Sequence, residues 1–247
     1  MRNQSLSIAL VFVAGGVIGT SAVNETQPSP GLKGEPGAIA LARTMIERMG
    51  GRKIWAAAAA LHVVEEAQRD EYATPARAEM WRDVRSARLW GRTTSTTFDR
   101  QFAFTSTSGW RLDAGTVTPL SDVEVVEWRG RWRGNIYVMY HRLAAEDSVL
   151  RIDRDGPRRF SVYDATTGEK LSTFGVNAGG DITYWSLSFG RASEEWVYGP
   201  LTDFGTIRMP AWGARTDGSY RFRYVSVTLS NTPPPVSFDA PAAKLLP

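Results

Sequence analysis

From residue 149 to residue 231 the chain is a succession of short segments with a period of two, separated by Gly, Asp and Pro clusters. The segments are 149–156, 158–176, 181–190, 194–199, 205–210 and 218–231, and "DATTGE" is the clearest turn among them. Side chains on a strand alternate between two faces, and short turns make neighbours antiparallel. Six such segments in a row predict an antiparallel sheet. The last one also predicts curvature. Tyr220, Phe222 and Tyr224 share one parity, whereas Val225, Val227 and Leu229 have the other. A strand buries both sets against one core only through a bulge, here expected near Tyr224.

The first half adds more strands and two helical regions. Residues 61–71, 77–92, 96–106 and 109–115 read as strands, with a loop at Pro75. In 96–106, Phe98, Arg100, Phe102 and Phe104 fall on one face. Ahead of them, Ile39, Ala42, Ile46 and Met49 recur at steps of three and four. Pro36 suits the first turn of that helix, and Gly50 suits the residue after its end. "RKIWAAAAA" (52–60) follows as a short alanine-rich helix. The strand run is interrupted once, by 118–148. Ser121 and Glu124 form a capping-box pair there, and Val125, Trp128, Trp132, Ile136, Tyr140 and Leu143 make a stripe. Two helical segments are expected over 121–145, breaking near Gly130 or Gly134, and lying on the concave side of the sheet. The tail after 231 is too rich in proline to extend the ladder. It is expected to pin Phe238 and then fray.

The start of the chain stands apart. Arg2 precedes an apolar run of 14 residues (6–19), and Thr20-Ser21-Ala22 supplies small residues at a cleavage site. This is the layout of a signal peptide over 1–22, with a mature start near Val23. The alternative is an uncleaved anchor, although the run is shorter than the roughly 20 residues of a membrane span. Residues 23–37, rich in Pro, Gly and Ser, are expected to be a disordered leader, 38–242 a single domain and 243–247 a tail.

The chemistry-bearing residues are sparse. No cysteine is present, so disulfides, thiolate metal sites and a Cys nucleophile are excluded. The net charge of +3, from 29 basic and 26 acidic residues, is too small and too evenly spread to argue for nucleic acid. His62 and His141 lie in different elements. Glu65-Glu66 and Glu194-Glu195 are adjacent, so on strands their carboxylates point to opposite faces. No Gly-x-Ser-x-Gly elbow, phosphate loop or His-Glu-x-x-His occurs. "WRGRWRG" (128–134) suits either contact with anionic lipid or nucleic acid, or a helix with a solvated Arg face. No catalytic residue, metal site or cofactor is expected, and a non-catalytic protein is the reading, with a hydrolase of unrecognised site as a weaker option.

Three stretches carry a family resemblance. "IERMGGRKIWAAAAALHVVEE" (46–66) joins a helix ending in Gly-Gly to a short helix and a first strand. "SVYDATTGEKLSTFGV" (161–176) is a strand–turn–strand. "YGPLTDFGTIRMPAWGARTDGSYRFRYVSVTLSNTPPPVSFDAPA" (198–242) runs from Tyr-Gly through a long strand to Asn, a proline-rich turn and Phe-Asp-x-Pro. Together they resemble the periplasmic lipoprotein-localisation family (LolA/LolB-like, outer-membrane lipoprotein-sorting proteins), over roughly 38–242. In the last stretch the resemblance places Pro210 at the end of its ladder and Trp212 where the sheet rolls over. The resemblance implies a mainly β (α+β) fold: a single strongly curved antiparallel sheet, or incomplete β-barrel, with helices covering its concave face. The lipid-anchored relatives carry a Cys that this chain lacks, so lipoprotein transfer itself is not implied.

Two functions fit such a domain. One is a periplasmic carrier, monomeric, for an apolar ligand such as a lipid or a lipoprotein acyl chain. The other is a scaffold of the cell envelope that offers its curved sheet to a protein partner. Nine Trp in an 11% aromatic chain need a large core or a cavity. The candidate cavity lining is Trp81, Trp90, Trp110, Trp128, Trp132, Trp185 and Tyr140; the alternative is that these rings fill a closed core. An apolar cavity above about 300 Å³ favours the carrier, and a filled core with a flat apolar patch favours the scaffold.

Overall fold

The computed structural model describes residues 31–189 and 192–241. The signal segment 1–22 and the tail 243–247 lie outside the described residues, as does the leader as far as residue 30. The rest of the expected leader belongs to the domain. Leu32 is buried, Lys33–Gly34 forms the edge strand β1, and Pro36 opens the first helix. The Glu35 N–H donates to the Ile152 carbonyl at 2.9 Å, so the neighbouring strand orders a segment whose composition alone predicts disorder.

Helix α1 (Pro36–Arg48) buries Ala38, Ala42, Met45 and Ile46, one residue round from the expected face; Met49 just after it is buried and Ile39 half-buried. Gly50 and Gly51 have φ of 116° and 96°, which only glycine adopts at low cost, and they turn the chain into α2 (Arg52–Ala57). Six strands then run as a meander: β2 (Ala60–Arg69), β3 (Ala76–Asp83), β4 (Arg88–Thr94), β5 (Asp99–Phe104), β6 (Gly109–Asp113) and β7 (Thr116–Pro119). Residues 77–92, expected as one strand, are therefore two. Asp83 accepts from the Arg85 and Ser86 backbone N–H groups at 2.8 Å each and makes a turn that alternation did not reveal.

The helical insertion is as expected. Helix α3 (Asp122–Gly134) opens on the Ser121/Glu124 capping box, and α4 (Ile136–Ala144) follows after a break at Asn135. Gly134 sits at that break with no room for a side chain, because a Cβ would collide with the Leu171 carbonyl oxygen and the Leu187 side chain. This close approach seats the α3/α4 junction directly on the sheet.

The second run of strands comprises β8 (Leu150–Arg154), β9 (Arg159–Asp164), β10 (Lys170–Val176), β11 (Ile182–Phe189), β12 (Ala192–Tyr198), β13 (Leu201–Phe204), β14 (Ile207–Pro210), β15 (Trp212–Arg215) and β16 (Tyr220–Ser230). The main sheet has 14 strands in the order β1-β8-β9-β10-β11-β12-β15-β16-β2-β3-β4-β5-β6-β7, and it does not close on itself. All neighbours are antiparallel except β1 and β8, which are parallel. The bulge falls where the phase of β16 changes. Tyr224 pairs with Glu65 and Ser226 with Val64, so Val225 is the extra residue and is turned outward, 44% exposed. Tyr224 and Val227 consequently both face inward.

Residues 201–210 leave the sheet. Strands β13 and β14 form their own hairpin, in which Pro210 faces Leu201 and Met209 and Ile207 are buried. The Arg208 N–H reaches the Met49 carbonyl at 3.2 Å, so the hairpin folds over the end of α1. Pro210 ends this small ladder rather than a strand of the main one, and Trp212, 45% exposed, lays its ring across Gly199 instead of packing inward. Phe238 is docked as expected: its carbonyl accepts from the Trp110 indole N–H at 2.9 Å, and its ring lies 5.3 Å from the Arg88 guanidinium.

Candidate functional site

The inner face of the sheet and the helices share one large core that includes Trp55, Met139, Tyr140, Phe160 and Phe174. That core fills the space beneath α1, α2 and α4. Beneath α3 and the α3/α4 junction it gives way to a cavity of about 530 Å³. Met80, Leu89 and Phe104 of β3, β4 and β5 line one side of it. Trp128, Trp132, Ile136 and Tyr137 line the helical side, and Trp185, Trp196 and Phe222 the far wall.

Each helical side chain is held in place. The Trp128 ring stacks on Phe102 at 5.6 Å and lies 6.1 Å from Phe104. The Trp132 indole N–H donates to the Asp83 carbonyl at 3.1 Å. Arg131 pairs with Glu194, and Arg133 with Asp164 at 2.9 Å and Glu169 at 2.7 Å. The Arg residues of "WRGRWRG" thus include two that clamp α3 to the sheet through carboxylates, and the intervening tryptophans face the cavity.

The candidate residues separate into three groups. Trp128, Trp132 and Trp185 line the cavity. Trp81, Trp90 and Trp110 do not. They lie in one cross-strand row, His62–Trp81–Trp90–Ala103–Trp110, whose parity is opposite to that of cavity-lining Met80, Arg82, Leu89 and Phe104. This row faces the outside of the sheet, where Trp81 stacks on His62 at 4.3 Å and Trp110 meets the tail at Phe238. Tyr140 is also elsewhere. It is fully buried between Trp55, at 5.0 Å, and Phe174, at 6.3 Å, and its hydroxyl has no partner among the described residues.

The cavity contains polar groups that the sequence reading passed over. Glu65, 3% exposed, accepts a hydrogen bond from the Tyr220 hydroxyl. Burial pushes its carboxyl up to about 7, against the opposing influence of Tyr220, Arg82 and Arg69. Beside it, the Tyr137 and Tyr224 hydroxyls are hydrogen-bonded to each other, and burial raises both phenols, that of Tyr137 to about 12. Arg82 places its guanidinium 5.3 Å from the centroid of the Tyr137 ring. Trp196 and Phe222 were equally absent from the candidate list. Part of the signal was present: Trp196 and Tyr198 share a parity, as do Tyr220 and Phe222. The rest was not, because β12 and β16 are separated by the short strand β15, over which the rings meet at Trp196–Tyr220, 5.4 Å, and Trp196–Phe222, 5.8 Å.

Neither histidine lines the cavity. His62 is engaged by Glu79 at 2.8 Å on the outer face, and the His141 Nδ1 by the Trp55 carbonyl at 3.0 Å under the helices. Glu66 pairs with Arg223 outside while Glu65 points inward. Among the described residues no group of His, Cys, Asp and Glu side chains is placed to hold a metal ion. No helix among them is long and apolar enough to cross a membrane.

No family model matches the chain, and no curated protein matches it. Among solved structures it is similar to a LolA superfamily protein from Nitrosomonas europaea, at 9% identity and a TM-score of 0.46, over 79% of this chain and 94% of that one. It is also similar to a putative outer membrane lipoprotein-sorting protein domain from Vibrio parahaemolyticus, at 9% identity and a TM-score of 0.34, over 78% and 92%. A third similar structure is a DUF1329 family protein from Desulfovibrio piger, at 6% identity and a TM-score of 0.34, over 78% and 93%.

Proposed function

We propose that this chain is a non-catalytic carrier or binding protein of the periplasm, which holds a lipid or a lipoprotein acyl chain between its curved sheet and helix α3. The observation that carries this reading is the cavity of about 530 Å³ lined by Trp128, Trp132, Trp185, Leu89 and Phe104. Ligand sites occupy roughly 300–1,000 Å³ and are mostly apolar with a few placed polar groups. A scaffold that uses its sheet as a partner surface has no need of an unfilled interior of this size.

Trp132 gives the direct test. A Trp in a closed core costs about 3–5 kcal/mol when cut to alanine. Trp132 is only half-buried, and one face of its ring borders empty space. Trp132→Ala is expected to cost less than that in a thermal melt. It should also weaken uptake of a fluorescent fatty acid by about tenfold or more, since a buried apolar side chain is worth roughly 1.5–3 kcal/mol. Absence of probe uptake by the wild type, together with a full core-sized loss of stability in the variant, would rule out the carrier at this site.

The periplasmic part of the proposal rests on the signal layout of residues 1–22. N-terminal sequencing of the exported protein is expected to begin at or near Val23; a membrane-bound product beginning at Met1 would replace secretion with anchoring.

A further inference from the structure

The carrier reading leaves the chemical class of the ligand open, and the charged groups of the cavity narrow it. The other arginines that line the cavity each have a carboxylate partner: Arg69 pairs with Glu71 at 3.5 Å, Arg131 with Glu194, and Arg215 with Asp217 at 3.2 Å. Arg82 is different. It lines the cavity, yet its guanidinium makes no hydrogen bond and no ion pair with any described residue; its closest described interaction is with the face of Tyr137. Arg82 is half-buried, and a guanidinium carries five N–H donors and no acceptor, so the donors it turns into the cavity are open to an acceptor on a ligand.

The remaining unsatisfied groups are mostly donors as well. The indole N–H groups of Trp185 and Trp196 and the Nε–H of Arg215 are buried without partners, and all three residues line the cavity. The one carboxylate beside Arg82, that of Glu65, is occupied by the Tyr220 hydroxyl. Burial raises its pKa to about 7, so near neutrality it is not a full counter-charge. An interior with a mixed lining, apolar along Leu89, Phe104, Trp128 and Trp132 and polar around Glu65 and Arg82, with surplus donors and a cation that has no ion-pair partner among the described residues, is complementary to a molecule that brings an apolar body and an acceptor-rich anion. A volume of about 530 Å³ lies within the range for a small ligand rather than a bulky multi-chain lipid.

Building on the carrier reading, we propose that the ligand is a single-chain amphiphile with an anionic headgroup, a carboxylate or a phosphate monoester, paired with the guanidinium of Arg82. Its chain lies along Leu89, Phe104, Trp128 and Trp132. Both headgroups match the planar fork of a guanidinium through two parallel hydrogen bonds. Tyr137 supports Arg82 from one ring face and leaves its N–H edge available.

The test is displacement of a neutral apolar dye, N-phenyl-1-naphthylamine, from the full chain by palmitate, hexadecyl phosphate and methyl palmitate. Palmitate, hexadecyl phosphate or both are expected to compete roughly tenfold or more better than the ester, the scale of one charge-assisted hydrogen bond. Whichever anion competes better identifies the headgroup. In Arg82→Met, which keeps the length and apolar stem, that preference should vanish while methyl palmitate competes as before. An ester equal to both anions on the wild type overturns the anionic head and leaves the carrier standing; a preference that survives undiminished in Arg82→Met overturns the assignment of the headgroup to Arg82. A wild type that takes up no dye overturns both readings. Should Arg82→Met not fold, the wild-type comparison of acid with ester decides alone.

Discussion

Replacing Trp55 by alanine is expected to destabilise the chain by roughly 3–5 kcal/mol. This is the largest single-residue effect argued from the fold. Trp55 is fully buried on α2 and occupies the junction of three helices. Its indole N–H donates to the Met49 carbonyl at 3.0 Å, at the end of α1. Its ring meets Tyr140 of α4 edge-on at 5.0 Å, and its backbone carbonyl holds His141 of the same helix. Alanine would remove the ring, leave a cavity that three helices cannot all move to fill, and take from the Met49 carbonyl one of its two donors, leaving only the Arg208 N–H. For a domain of this size the loss corresponds to a drop in Tm on the order of 10 °C. Trp55→Phe, which keeps most of the volume and loses the hydrogen bond, should fall between the two. A thermal melt checks the pair, and a drop of only a degree or two in Trp55→Ala would show that the helix layer is not held at this point.

The second large effect is a pH dependence centred on Glu65. The groups facing its carboxyl are the Tyr220 hydroxyl, Arg82 and Arg69, with the phenols of Tyr137, Tyr198 and Tyr224 behind them. Burial outweighs the two arginines and lifts its pKa from the ordinary 4.5 to about 7. The folded chain therefore holds this proton more tightly than the unfolded chain does. The associated stability is fully present below about pH 4.5 and is lost as pH rises through about 7. At 1.36 kcal/mol per unit the shift amounts to roughly 3 kcal/mol.

His141 acts in the opposite sense over part of this window. Burial lowers its pKa below 6.5, so it favours the folded chain as pH rises. The carboxylates held down in the folded chain, Asp83 and Asp181 among them, lose their contribution only at acid pH. The difference between wild type and Glu65→Gln isolates Glu65 from all of these. Urea unfolding at pH 5 and pH 8 is expected to show Glu65→Gln gaining relative to wild type at pH 8, since the amide oxygen still accepts from Tyr220 and carries no charge to bury. Equal pH dependence in the two proteins would mean that Glu65 is ionised at little cost, through water in the cavity or closer pairing with Arg82.

Much of this architecture was legible in the residues because it is set locally. The Ser121/Glu124 capping box starts α3 through contacts three residues apart. Gly50 and Gly51 supply the positive φ between two helices. The change of parity in "YRFRYVSVTL" announces the bulge at Val225, because a strand facing one core must change phase to bury both sets. These features follow from sterics and periodicity within a few residues. The capture of Lys33–Gly34 by β8 was not legible, nor was the departure of β13 and β14 from the main sheet, since both depend on a partner more than a hundred residues away.

The site divides along the same line. Alternation along the chain determined that Trp81 and Arg82 lie on opposite faces, and likewise Leu89 and Trp90. It did not determine which face would be covered by helices, because the pattern is symmetric and both sets contain large apolar rings. Only the packing of α3 and α4 against the side carrying Met80, Leu89 and Phe104 made that side the interior, and it left Trp81, Trp90 and Trp110 outside. Tertiary structure likewise decided that Glu65, Arg82, Tyr137 and Tyr220, drawn from three strands and a helix, meet in one cavity. The reason is physical: a side chain's face is a property of its own strand, whereas the burial that shifts Glu65 and the enclosure that leaves Arg82 unpaired are created by residues far along the chain.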